Sequence, residues 1–290
     1  MASIATKIFS SPMKWAVGGW SFFIAENFIL SENRTYLISQ LGDDGYHMAY
    51  GTFSTAAMAS VFYGYFRKVK NTQPLLWSLS SPAPLPSKIL SFVCLSVGLG
   101  MASQIPPSAQ IPIHFVAGDN NNNSNNSGET NGTASSPTDV NPPEEKGWKV
   151  RCPFDFTDKK DTNAPLHGLE RITRHPGLWS FGLLGLGNAL LIPSLPQRAW
   201  LAMPYMVALV GGAHTDSRFR RGMGGTLSPE YDRVTSNTPF VAMLSGAQGN
   251  VMDVLRDFSE EIKPLNAMIA VGVSGLWVLG KGRGVKVPLR

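Results

Sequence analysis

Residues 171–194 read RITRHPGLWSFGLLGLGNALLIPS. Arg171, Arg174 and His175 crowd in front of Pro176, and the eighteen residues that follow carry no charge. A proline in the first turn of a helix costs nothing, because its missing N–H would have had no partner there. Eighteen uncharged residues fall within the ~17–25 that an apolar helix needs to cross a bilayer. Gly182, Gly185, Gly187 and Ala189 are small. Glycine in particular weakens a helix in water, but in lipid small residues let a neighbouring helix approach closely. Asn188 is a polar group at membrane depth, suited to a hydrogen bond with another helix.

Working outward, five more segments are uncharged or nearly so: 15–30, 46–66, 89–103, 199–213 and 265–280. Segment 46–66 is also long enough to span; the other four are short, and Pro204 interrupts one of them. Charged residues make up 16% of the chain, against roughly 25% in ordinary soluble domains. A mean hydropathy of −0.03 averages these segments with the strongly polar 115–174. Length alone leaves two architectures open: a soluble helical protein with buried core helices, or a membrane protein.

Charge topology separates the two. If all six segments span, residues 1–14, 67–88, 195–198 and 281–290 share one side, with eleven lysines and arginines and no acid. The other side then holds fourteen cations and nineteen acids. Insertion that keeps basic loops on the cytoplasmic side sorts charges this way. The expectation is an all-α, polytopic membrane helix bundle of about six spans, with both termini on the basic side. The chain divides into a tail (1–14), helices 1–3 (15–113), a polar, partly disordered loop (114–170), helices 4–6 (171–280) and a basic tail (281–290). An interfacial loop at 214–264 lies between the last two spans; within it, 238–262 reads as a turn and an amphipathic helix.

Residues 119–145, DNNNNSNNSGETNGTASSPTDVNPPEE, form a low-complexity linker too polar to bury a core. The N-terminus, MASIATKIFSSPMKW, is basic and free of acids, like a short piece of a transit peptide. Cys94 and Cys152 lie in an apolar and a polar region, and no CxxC occurs, so neither a disulfide framework nor a zinc site is indicated. No basic run alternates with aromatics, so nucleic acid is not an expected partner; membrane lipid is. The segment RRGMGGTL at 220–227 reads as a flexible loop more readily than as a phosphate cradle, because no strand precedes it.

The candidate chemistry is sparse. His47, His175 and His214 stand at the ends of three segments, all on the acidic side, where they are candidates for a cofactor or are simply at home at an interface. Glu26 and Asn188 are polar at membrane depth. An ionisable group there is a site candidate by default.

The order of several motifs resembles the NnrU family, which includes the 15-cis-zeta-carotene isomerase of oxygenic phototrophs. RITRHPGLW opens a membrane helix as in that family. ENRTY resembles its Arg-x-Tyr segment, here Arg34 and Tyr36, and AHTDSRFRR its Asp-x-Arg stretch, here Asp216 and Arg218. YGTFSTAAMASVFYGYFRK followed by TQPLLW, and SNTPFVAMLSGAQ, fit other parts. Arg34, Arg174, Asp216 and Arg218 then read as interface anchors. The resemblance implies a plastid membrane, a long polyene substrate and, for the isomerase branch, a haem b held by two histidines. One of these lies in the first membrane helix and the other mid-way along the helix opened by Arg-His-Pro. This chain has no histidine before His47, and Asn188 occupies the second position. Two functions follow as expectations: a carotenoid cis-trans isomerase, or a non-catalytic membrane protein that binds lipid or pigment or supports assembly of a membrane complex.

Overall fold

The computed structural model describes residues 11–70, 72, 75–105, 113–116, 147–150, 166–223 and 225–284. All six apolar segments are helical. They are α1 (Pro12–Glu32), α2 (Arg34–Gly64), α3 (Leu85–Gln104), α4 (Pro176–Leu190), α5 (Leu195–Met206), and the last helix, Pro264–Lys281. A π turn, Val207–Gly211, continues α5 into α6 (Gly212–Arg220) without a break. Short helices α7 (Pro229–Val234), α8 (Val241–Leu244) and α9 (Val251–Glu261) precede α10, the Pro264–Lys281 helix. The expected amphipathic helix is α9, with Val254 on its buried side and Asp253, Asp257 and Glu260 outside.

Three expectations change. At the start of the stretch read as a polar loop and within it, β1 (Ile113–Val116) and β2 (Gly147–Val150) pair antiparallel, Ile113 opposite Val150, so the described residues are helical apart from one small ribbon. Both strands are rich in the β-branched and aromatic residues that favour extended chain. The asparagine-rich linker and Cys152 lie outside the described residues. Secondly, α4 stops at Leu190, short of residue 194. Pro193 cannot continue it, and the Ser194 hydroxyl caps α5 by accepting from the Gln197 N–H. Thirdly, among the described residues only α3 and α10 are long and apolar enough throughout to cross a membrane by length and composition. Fifteen residues of α4 reach only ~22 Å at 1.5 Å per residue.

The main helices pack in the spatial order α10, α3, α4, α5, α1, α2, a row rather than a closed ring. Their ends gather into two groups. At one end Ala83 N–H bonds to Gly282, Leu76 N–H to Pro193, and Ser194 to the Thr72 carbonyl. At the other, Arg221 pairs with Glu32, Arg171 with Glu261, and Gln104 exchanges hydrogen bonds with Lys263. These are the two sets of loops that the charge pattern separates.

Close approach in the middle of the row uses small residues. A Cβ at Gly187 would lie 2.7 Å from Leu95 Cγ, and one at Gly185 would lie 2.6 Å from the Leu201 carbonyl oxygen. Both distances are shorter than van der Waals contact allows. The same approach brings hydroxyls to backbone carbonyls across α3 and α4: Ser91 donates to Gly187 O at 2.7 Å and Ser180 to Gly98 O at 2.9 Å.

Candidate functional site

The site begins where the basic run meets α4. Arg174 and His175 sit just outside its first turn, held by a backbone clasp: Arg174 N–H bonds to Ser236 O and Phe240 N–H to Ile172 O. Phe240 adopts φ 65°, an uncommon conformation for a bulky residue, so the clasp holds it against its own preference. The Asn237 side chain ties three elements together. It accepts from Trp179 Nε1 at 3.1 Å and donates to Leu209 O inside the π turn at 3.0 Å. Gly212 lets it pass: a Cβ there would fall 2.2 Å from Asn237 Oδ1.

Facing this clasp, α6 supplies Asp216, whose side chain is 4% exposed. Its Oδ2 lies 3.0 Å from Arg174 Nη2, and its Oδ1 accepts from His175 Nε2 at 2.8 Å. Arg174, 8% exposed, also bonds to Asp232 of α7, and Asp232 takes two hydrogen bonds from Arg220 at 2.6 and 2.8 Å. Arg220 above all, and then Arg174, hold the Asp232 carboxyl down at about 2. Burial pushes the neighbouring Tyr231 phenol well up, and its OH has no hydrogen-bond partner. Alternating charges thus pair with one another in a knot, in which the buried Arg174 Nε is left without a hydrogen-bond partner.

A second polar group lies between α1, α2 and α6. Glu26 is 6% exposed; its Oε1 accepts from Ser54 Oγ at 3.0 Å and from Asn27 Nδ2 at 2.6 Å, while its Oε2 has no partner. Tyr50 donates to Asn27 Oδ1. Nearer the helix end, His214 stacks on Phe28 with ring centroids 3.9 Å apart, and its Nε2 is 2.7 Å from Ser31 Oγ. Its Nδ1 is 3.6 Å from Glu32 Oε1. Burial lowers the His214 pKa, partly offset by Glu32. Arg34 lies over the Tyr46 ring at 5.8 Å. Arg218 is half-buried, and its Nε has no partner.

The remaining sequence candidates lie apart. His47 is exposed, 3.5 Å from Asp43. Asn188 donates to Leu184 O and accepts from Trp277 Nε1 at 2.9 Å, so it links α4 to α10 as an interhelical hydrogen bond. The structure joins Arg174, His175 and Asp216 in one knot and brings His214 beside α1, but it does not bring the three histidines together. Among the described residues no group of three His, Cys, Asp or Glu is placed to hold a metal. Asp232, Arg220, Asn237 and Ser54 were not singled out by the sequence: Arg220, Asn237 and Ser54 lie within the quoted family-like stretches, but each meets its partner only through the fold.

A family model described as NnrU protein matches residues 16–279. The chain belongs to the NnrU family. The match takes in all the main helices of this NnrU chain except the first four residues of α1 and the last two of α10, together with both polar groups and the α4–α10 link. This NnrU chain matches no curated protein and no solved structure.

Proposed function

We propose that this NnrU chain is a six-span integral membrane protein that holds an apolar molecule, a lipid or pigment, and does not work as a haem-dependent isomerase. The observation that carries the membrane reading is inverted polarity. Leu276 is 73% exposed, with Leu85, Met268 and Ile29 also open on outward faces, while Ser91 and Ser274 are fully buried. Water would favour the reverse, and hydrocarbon around the row supports this arrangement. The shorter helices are accommodated by local thinning of the bilayer and by flanking polar side chains that reach the interface.

The ligand reading rests on an open, shallow apolar groove of about 280 Å³ between α3 and α10, lined by Leu99, Ile269, Ala270 and Val273 with Ser103 and Asn266 at its polar end. That volume is just under the ~300–1,000 Å³ of typical small-molecule pockets, which suits an acyl chain better than a whole polyene. Bis-histidine haem ligation needs two imidazoles facing one another across a gap. His175 turns to Asp216, His214 stacks on Phe28, and His47 is remote. These residues do not fit a haem of that kind.

Expression in a carotenoid-producing bacterium lacking the isomerase tests the proposal. The chain stays in carbonate-washed membranes and co-purifies with lipid or pigment in mild detergent. It shows no Soret band and leaves 15-cis-zeta-carotene unchanged. A Soret band lost on His175→Ala, together with conversion of the carotene, refutes the non-haem reading in favour of the isomerase. Imaging a fluorescent fusion in a plant cell tests the plastid membrane that the family resemblance implies.

A further inference from the structure

We propose that Glu26 is a proton-binding site inside the helix row, exchanging with water on the acidic side; this rests on the membrane reading above. Glu26 lies six residues before the end of α1 at Glu32, about 9 Å below it at 1.5 Å per residue. Its carboxyl is buried and, among the described residues, no lysine, arginine or histidine bonds to it. A carboxylate at membrane depth without a cation is costly. One added positive charge removes that cost, and Oε2, which has no partner, is the oxygen left to take it.

The donor set selects the proton over an alkali ion. Asn27 presents its amide N–H to Oε1, Ser54 presents its hydroxyl, and Tyr50 turns its O–H to Asn27 Oδ1. Donors pointing at the carboxyl leave a metal ion with too few free oxygens. The titratable and charged groups facing this region are Tyr46 and Tyr50 of α2 with Arg34 over Tyr46 and Asp43 near it, and His214 and Arg218 of α6. Polar groups continue toward the rim: Tyr46 donates to Leu30 O, Ser31 meets His214, and His214 nears Glu32.

Dicyclohexylcarbodiimide provides the test. A protonated carboxyl adds across its C=N bond, and the adduct rearranges to a stable acylurea with no group lost. Wild-type chain in carbonate-washed membranes is treated over a range of pH, and the labelled peptide is mapped by mass spectrometry. Glu26 is labelled in mildly acidic buffer, labelling falls about tenfold per pH unit once the acid ionises, and sodium in place of potassium changes nothing. Ser54→Ala removes a donor that favours the ionised form, so labelling persists to higher pH. No label on Glu26 at any pH overturns the proposal, as does protection by sodium, which marks an alkali-ion site. A chain that washes off the membrane overturns the membrane reading as well; one that stays and is unlabelled overturns only the proton site.

Discussion

Replacing Asp216 by asparagine tests the knot at its most buried member. The change removes the charge shared by Arg174 and His175 and leaves one acceptor where there were two. Removing one partner of a buried ion pair costs ~3–5 kcal/mol, because the other charge stays in place without its counter-ion. Arg174 keeps Asp232, which puts the loss at the lower end, about 3 kcal/mol, or roughly two powers of ten in the folding equilibrium. Asp232→Asn is the control. Its side chain is 26% exposed, water reaches it, and its loss is about 1 kcal/mol. The assay is unfolding of the detergent-solubilised protein by dodecyl sulfate, followed by tryptophan fluorescence, for which Trp179 beside Asn237 is a local probe. If Asp216→Asn unfolds within about 0.5 kcal/mol of wild type, or less readily than Asp232→Asn, the knot is not what holds α6 against the start of α4.

Gly187→Ala and Gly185→Ala each force a Cβ into contacts under 3 Å, so each lowers stability by ~1–3 kcal/mol in the same titration. Asn188→Leu removes the acceptor of Trp277 Nε1. It costs about 0.6 kcal/mol, the average for interhelical hydrogen bonds in membranes, and blue-shifts Trp277 emission. Asp232 has its pKa depressed from 3.8 to about 2. Its contribution is therefore fully present above the unfolded value and is lost as pH falls through that window; circular dichroism against pH shows the loss, which Arg220→Gln diminishes.

Much of the helical layout was legible because each apolar segment carries its own signal. Pro176 marked the start of α4, the small residues after it marked a tight contact, and Asn188 announced its interhelical bond. The early end of α4 was harder to read: Ile192 and Pro193 continue the uncharged run, and only the Ser194 cap shows that the chain has already turned into α5. The polar groups were half legible. Glu26, Arg174, His175, Asp216 and His214 stood out as polar residues in or beside apolar sequence. Their partners did not, because Ser54 lies 28 residues from Glu26, and Asp232 lies 58 from Arg174. No periodicity records such pairings. Nor could the order of helices in the row be read from segments that look alike in composition.

The π turn at Val207–Gly211 gives the long α5–α6 rod an extra residue, and one residue in a helix is a rotation of ~100°. Beyond it, His214 and Asp216 point away from each other, one toward α1 and the other toward the start of α4. This rod therefore works like a key with teeth on opposite edges. One edge meets Phe28 and Ser31 of α1, and the other meets Arg174 and His175 at the start of α4.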